Sequence, residues 1–406
     1  MRILYITKSM PFGSAEAFIA PEIQQHLNSG VEVLICPTLP AGQTHDWPYY
    51  QKSVSPDLFS WDISRGFLNE ILRQPIAVLR SLVVAVEPRS LKLTLRNLAV
   101  WPKAVWLSGY AREQMVDHIH AHWIAVPATM AMIAAKLAGL PWSITAHRYD
   151  IAQGNLISRK FASAEFVRAI DKPGHDELVA QLQPGQTPPE IIRMGVEVDE
   201  TSAPTRTGRL DDPRIVIGAR LIEKKGHVYL LQAIAKLRSN GLKPKLTIYG
   251  DGPLEETLLQ ISNRLNLNEC VFFAGPVSHS ELLRQLQGGE FDIAALPSVT
   301  ASDGDKEGIP VFLMEAMAAG VPVIATPNGG ISELIDNTSG SLVPEKNAMS
   351  IAHAIQALCE DETLRERKAK AGRVKVSEEF SIAACAARLR RRIAESLPST
   401  SRDLVG

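Results

Sequence analysis

Three groups of residues combine types and spacings that could do chemistry. The first is Gly218-Ala219-Arg220-Leu221-Ile222-Glu223-Lys224-Lys225-Gly226. An apolar run precedes it and a helical pattern follows, so Arg220 falls at a strand's end and Lys225 where the next helix begins. A helix start offers oriented N–H groups, and Arg and Lys add two full charges, which together suit an anion. The plainer reading is a solvated turn whose charges pair among themselves. The second group is Glu307-Gly308-Ile309-Pro310-Val311, with Glu315 further along. Pro310 suits a first helical position, so a helix is expected to start there, with free N–H groups around Ile309 and Val311. Glu315 lies inside that helix between Met314 and Ala316, and a carboxylate in so apolar a setting needs a partner. A ribose diol qualifies, because one carboxylate accepts two hydroxyl hydrogen bonds. The third group is histidine-rich. His118, His120 and His122 alternate along one strand and share a face, with His122 at the carboxyl end, where ligands bind. His147 and Asp150 follow the next strand. For His118 and His120 the plainer reading is satisfied core histidines.

Familiar phosphate motifs are missing. No G-x4-G-K-[ST] occurs, and Gly250-Asp251-Gly252 has Glu255 where a dinucleotide fingerprint needs a third glycine. Asp303-Gly304-Asp305 reads D-x-D but sits in a Ser/Gly-rich loop, and no metal ligand set or cofactor is expected.

The elements that must position these residues alternate. Twelve short apolar runs, beginning with Arg2–Thr7 and Val31–Cys36 and ending with Pro322–Thr326 and Gly340–Val343, are separated by longer helical stretches. Runs apolar at nearly every position suit strands buried on both faces, and βα alternation predicts doubly wound parallel sheets. The polar, Pro- and Gly-containing stretch 199–213 reads as a linker. It divides residues 1–198 from 214–378, and residues 379–406 read as a C-terminal helix able to cross back to the first domain. Two sheets facing a central cleft would close over a ligand at their strands' carboxyl ends. Residues 61–115 break the rhythm: a helical insertion in which eight Lys and Arg face four acids.

The whole chain has 406 residues, 45% hydrophobic and 21% charged, with formal net charge −1. That suits two globular domains and argues against a nucleic-acid partner bound through a global basic field. Four cysteines at 36, 270, 359 and 385 stand far apart and read as reduced thiols of a cytoplasmic protein. Met1–Thr7 reads as a strand rather than a secretory signal, and no run is long enough to span a bilayer.

Taken in order, the Gly218–Gly226 segment, Tyr249-Gly250-Asp251-Gly252-Pro253, Phe273-Ala274-Gly275, Leu296-Pro297-Ser298, the Glu307–Thr326 segment and Gly329-Gly330 with Glu333 resemble the donor half of family-4 retaining glycosyltransferases. Pro11-Phe12 with Glu16, Glu22-Ile23, His120-Ala121-His122-Trp123 and Thr145-Ala146-His147 through Asp150 are similar to the colanic-acid and exopolysaccharide branch. The resemblance implies a GT-B fold and a nucleotide-diphosphate sugar donor. It also implies metal-independent transfer with retention to a glycan or lipid-linked acceptor. By that resemblance Arg220 and Lys225 hold the diphosphate, Glu315 the ribose and Glu307 the donor sugar. Gly308, Ile309, Pro310 and Val311 present backbone to phosphate and sugar, and Gly13, Gly250, Gly252 and Val277 belong to the donor site. His122 serves the sugar, and His147 and Asp150 the acceptor or sugar. Where the family has a Gly-Gly pair, this chain reads Gly13-Ser14-Ala15. A nucleotide-sugar epimerase, a phosphorylase or a non-catalytic sugar-binding subunit would share the fold, and donor-dependent release of nucleoside diphosphate separates them. The basic insertion, with Trp61, Trp101 and Trp106 and an apolar face of Leu68, Ile71, Leu72, Leu79 and Leu82, is expected to reach an anionic membrane surface; the plainer reading is that these helices only cover the first sheet.

Overall fold

A computed structural model of the chain describes residues 1–13, 16–41, 53–54, 56–58, 60–87, 89–199 and 205–398. Ser14 and Ala15 of the first turn, residues 200–204 of the expected linker and 399–406 of the expected terminal helix lie outside the described residues. The chain divides into two compact units, Met1–Met194 with the segment from Ala383 onward, and Gly195–Ile382.

In the first unit the strands are β1 (Arg2–Thr7), β2 (Glu32–Pro37), β3 (His118–His122), β4 (Trp142–Ala146), β5 (Phe166–Ala169) and β6 (Glu190–Ile191). They form one sheet in the order β2-β1-β3-β4-β5-β6, with every neighbouring pair parallel. Its helices are α1 (Ala20–Asn28), α2 (Trp61–Arg73), α3 (Pro75–Ala85), α4 (Leu91–Glu113), α5 (Val126–Ala138), α6 (Arg148–Ile151), α7 (Ile157–Phe161) and α8 (Lys172–Val179). The insertion is therefore three helices, and Ser60 and Ser90 cap two of them by accepting from the N–H groups of Ile63 and Leu93.

The second unit holds β7 (Arg214–Gly218), α9 (His227–Ser239), β8 (Lys245–Tyr249), α10 (Glu255–Arg264), β9 (Val271–Gly275), α11 (His279–Gln287), β10 (Ile293–Leu296), α12 (Val311–Ala318), β11 (Val323–Ala325), α13 (Ile331–Leu334), β12 (Ser341–Leu342), α14 (Ala348–Glu360) and α15 (Glu362–Glu379). Its parallel sheet has the order β12-β11-β10-β7-β8-β9. The last helix, α16 (Ile382–Glu395), packs Leu389 and Ile393 into the first unit's core with Ile3 and Tyr5. Together these are two six-stranded, Rossmann-like parallel sheets, as the GT-B expectation requires.

Strand order reverses between β1 and β3 in one sheet and between β7 and β10 in the other. At such a switch point the flanking loops diverge and leave a crevice at the strands' carboxyl ends. The loop after β7 carries Arg220 and Lys225, and the loop after β10 leads to Glu307. Two boundaries differ from expectation. Pro310 is the extended cap (φ −71°, ψ 123°) rather than the first helical residue, so α12 starts at Val311. Lys225 closes a short 3-10 turn, Glu223–Lys225, and α9 starts only after Gly226. The reason is a close approach: Gly226 sits at φ +68°, where a Cβ would lie 1.9 Å from the carbonyl oxygen of Pro297.

Candidate active site

In the second unit the loops after β7 and β10 meet through ion pairs, the one at the crevice joining Lys225 and Glu307. Lys225 Nζ lies 2.6 Å from Glu307 Oε1 and 3.0 Å from Oε2. Glu307 is nearly buried, and its backbone is held from behind. Its N–H donates to Asn328 Oδ1 at 2.8 Å, and its carbonyl accepts from Gly330 at 3.2 Å. Gly329, at φ +57°, allows this contact, because a Cβ there would stand 1.8 Å from the same carbonyl. Asn328 is itself fixed, donating to Glu345 at 2.7 Å and Thr300 at 3.1 Å. Glu307 is thus aimed by a chain of polar side chains and not by the helix that follows.

Beside it, the N–H groups of Gly308 and Ile309 have no hydrogen bond among the described residues, and they precede the positive end of α12. Arg220 is exposed and has no ion pair or side-chain hydrogen bond among the described residues. Lys224 pairs with Asp305 at 2.8 Å, so one carboxylate of the D-x-D sequence already carries a cation. Gly250 and Gly252 act in packing. A Cβ at either would meet the backbone of Ala219 at 2.1 Å or Leu221 at 2.6 Å, so these glycines let the β7 and β8 loops touch. Val277 is half-buried against the core.

Glu315 has the partner its apolar helix demands. His279, the first residue of α11, places Nε2 2.6 Å from Glu315 Oε1, and the carboxylate raises the imidazole's pKa above 6.5. Sequence reasoning missed His279, a lone histidine between serines with no periodic signal. It also missed His227, whose two ring nitrogens are buried without a hydrogen-bond partner among the described residues, and the equally orphaned Ser298 hydroxyl. Burial, then Lys225, pushes His227 down to about 4. Orphaned buried polar atoms at the start of α9 and just past β10 are what a polar ligand or ordered water would satisfy.

The first unit gathers its expected site residues differently. His118, His120 and His122 are all fully buried, and His120 uses both ring nitrogens on Ser143 (2.7 Å) and Thr145 (2.9 Å). His122 likewise spends Nε2 on Glu22 (3.2 Å) and Nδ1 on His147 (3.4 Å). Glu22 receives Arg168 at 2.6 Å. Burial alone would raise the Glu22 carboxyl, but Arg168, His122 and His26 hold it well below its usual range. His147 stacks on Trp123 with ring centroids 4.4 Å apart, and its N–H donates to Asp150 Oδ1 at 2.8 Å. Burial pushes Asp150 up to about 7 and Lys160 down to about 7. Gly13 turns the chain at φ +69°. Glu16 gathers the N–H groups of Lys8 at 3.0 Å and Met10 at 2.7 Å, fixing the loop after β1.

Glu22, His120 and His122 place ligand atoms within 4.8 Å of one another. Arg168 pairs with the other oxygen of Glu22, and both ring nitrogens of His120 have hydroxyl partners, so these donors are joined in a hydrogen-bonded network.

Residues 200–375 match the model of glycosyl transferases group 1. The amylovoran biosynthesis glycosyltransferase AmsK of Erwinia amylovora is 36% identical over 243 residues, 58% of this chain and 59% of that protein. The chain thus spans about six tenths of that relative's length. The putative colanic acid biosynthesis glycosyltransferase WcaL of Salmonella typhimurium is 28% identical over 94% of this chain and 96% of its own. A GDP-mannose-dependent phosphatidylinositol monomannoside mannosyltransferase of Mycobacterium tuberculosis is 32% identical over 68% of this chain and 77% of its own. Among solved structures, Anabaena HepE in complex with UDP superposes with a TM-score of 0.71 at 18% identity, covering 97% of this chain and 100% of that one.

Proposed function

The chain belongs to the glycosyl transferases group 1 family, and from that premise we propose that it moves a sugar from a nucleotide-diphosphate sugar to a glycan or lipid-linked saccharide acceptor. The product is a cell-surface polysaccharide, in keeping with the amylovoran and colanic acid relatives. In this reading the transfer takes place in the cytoplasm, at the inner face of the cell membrane.

One observation carries this reading: a charged, hydrogen-bond-ready crevice at the β7/β10 switch point. There Lys225 faces Glu307, while Arg220 and the N–H groups before α12 keep capacity for an anion. Transfer breaks the bond between the anomeric carbon and the diphosphate oxygen. The electron pair leaves with the diphosphate, and positive charge grows on the sugar ring. Arg220, Lys225 and the N–H groups of Gly308, Ile309 and Val311 stabilise the leaving group without a metal ion. Glu307 accepts from the donor sugar's hydroxyls. Glu315 turns from His279 to the ribose. The acceptor oxygen attacks from the face the diphosphate leaves, its proton passes to the departing phosphate oxygen, and configuration is retained. His147 and Asp150 line the acceptor side, with His122 holding His147 from behind.

The test is a panel of nucleotide sugars incubated with the protein, scored by nucleoside diphosphate release and by the anomeric coupling constant of the product. The expected result is one preferred donor, an unchanged anomeric configuration and full activity in EDTA. Inversion would remove the retaining assignment. Loss in EDTA restored by Mg²⁺ or Mn²⁺ would promote Asp303 and Asp305 to metal ligands.

A further inference from the structure

We propose that the α2–α4 insertion is a docking surface for an anionic lipid bilayer. The helices are amphipathic in an unusual sense. Their inner faces supply Ile63, Val78, Ala85 and Val100 to the buried layer, yet their outer faces are apolar as well. On α2, Trp61, Leu68 and Leu72 recur at helical spacing, and Trp61 is 80% and Leu72 76% exposed. On α3, Ile76, Leu79 and Val83 do the same, and on the first turns of α4 Leu91 and Leu95, with Leu91 75% exposed. Covering the first sheet explains the inner faces only. Trp101 and Trp106 turn inward, Trp101 donating to Ser81 at 2.7 Å, and Ile71 and Leu82 are half-buried, so the wet apolar face is a different set of residues from the one that sheet packing uses.

Charge identifies the occupant. Arg65, Arg73, Arg80, Arg89, Lys92 and Arg96 are all exposed between the apolar positions. The acids of the same stretch are turned in. Glu70 is buried against Arg112, and Glu87 is buried accepting from Leu156 N–H at 2.8 Å, which leaves Asp62 as the exposed acid between residues 61 and 96 among those described. Folding therefore makes this surface more basic than its sequence. A groove of about 510 Å³ sets Arg80 and Lys136 beside Ile76 and Pro75, a cationic rim on an apolar floor. A second copy of the chain would set these cations against each other across a two-fold interface, since such an interface uses the same patch twice. Aliphatic residues offer nucleic-acid bases little to stack on. A bilayer answers both features: acyl chains take the apolar residues, and anionic headgroups take the Arg and Lys.

Vesicle flotation of the full chain tests this, with neutral phosphatidylcholine vesicles against vesicles containing about one third phosphatidylglycerol. Each Lys or Arg near an anionic surface strengthens binding roughly fivefold. The triple variant Arg80→Glu, Lys92→Glu, Arg96→Glu should therefore weaken binding by roughly a hundredfold or more, and Leu72→Ser with Leu79→Ser and Leu91→Ser by at least tenfold. Binding should fall as salt rises from about 50 to 500 mM, and quenching by brominated lipid should be lost in Trp61→Phe. All these positions are exposed, so the variants should keep the wild-type melting temperature and wild-type donor-dependent nucleoside diphosphate release in detergent. That release separates a failed docking surface from a failed glycosyltransferase assignment. Equal recovery with neutral and anionic vesicles, no recovery with either, or a concentration-dependent dimer abolished by the same variants would overturn the proposal.

Discussion

The two crevices at the strands' carboxyl ends use similar residues to opposite ends. In the first unit, the groups linked to His122 are spent on one another: Arg168 on Glu22, Glu22 on His122, His122 on His147, and His120 on Ser143 and Thr145, while His26 beside them keeps both buried ring nitrogens without a hydrogen-bond partner among the described residues. In the second, Arg220 is exposed and without a side-chain partner among the described residues, and the N–H groups of Gly308 and Ile309 are open. A closed network fixes geometry, because breaking it exposes a buried charge. An open one keeps capacity for a ligand. Substitutions in the first should therefore register as lost stability, and substitutions in the second as lost turnover.

The largest expected effect comes from the open side. Arg220→Ala and Lys225→Ala should each lower turnover by roughly 10²–10³-fold, as losing a preorganised donor to developing charge does elsewhere. Arg220→Ala should leave stability within about 0.5 kcal/mol, because the side chain is exposed. Lys225→Ala leaves the nearly buried Glu307 with only the longer contact to Lys224, at 4.0 Å, and should cost about 1–3 kcal/mol as well. Steady-state kinetics beside denaturant unfolding read both quantities. Near-wild-type turnover in either variant would erase the distinction between the crevices.

The closed side supplies the next effect. Glu22→Gln keeps a hydrogen-bonding shape but leaves the fully buried Arg168 guanidinium without its counter-charge. Removing one partner of a buried pair costs about 3–5 kcal/mol. Urea unfolding should show this loss, while the protein that remains folded retains donor binding in the second unit. A loss below about 1 kcal/mol would mean that Glu22 does not anchor the network.

Why the sequence revealed one crevice and hid the other follows from range. All twelve strands could be read from apolar runs; those buried on both faces, such as β3 and β4, write their signal at every position, while β8 and β9 keep exposed positions and are legible from the alternation of βα units. Arg220, Lys225 and Glu307 were legible too, because their loops adjoin strand ends and a Gly-x-Pro helix start. Arg168 and Glu22 stand 146 residues apart, and no local pattern joins them. The family resemblance gives His122 to the sugar and its place at a strand's end suits a ligand, but only folding reveals that both its ring nitrogens are taken. The wet apolar face of the insertion was half visible. Periodicity marked amphipathic helices, but it could not tell which stripe faces in.

Acid should separate the units more gently. Burial lowers His26 to about 4 and His118 to about 3, and holds His120 and His147 well below 6.5, all in the first unit. The second unit has one such group, His227, at about 4. A histidine whose folded pKa is depressed gives stability that is complete above its unfolded value and lost as pH falls below it. Each loses about 1.4 kcal/mol per pH unit below 6.5 until its folded value is reached. Hydrogen exchange, corrected for intrinsic rates, should show β1, β3 and β4 losing protection between pH 7 and 5.5 before β7, β8 and β10 do. Equal loss in both sheets would contradict the contrast.

The smallest expected effect concerns His279, the one histidine among the described residues that shifts the other way. Its hydrogen bond to Glu315 raises the pKa of His279 more than burial lowers it. The sign is opposite to that of the buried histidines. Stability from this contact is complete below 6.5 and is lost as pH rises through the folded value. Its imidazole is 58% exposed, so solvent screens the pair and the change in stability is slight. The titration itself is the measurement. By NMR, His279 should titrate above 6.5 in the free protein and return toward 6.5 in Glu315→Gln. Because Glu315 must release His279 to receive a ribose, saturating nucleoside diphosphate should move the midpoint in the same direction as that substitution. A midpoint that ignores the nucleotide would take the ribose away from Glu315 and leave the His279–Glu315 contact as part of the scaffold, making this corner of the open crevice as closed as the one around His122.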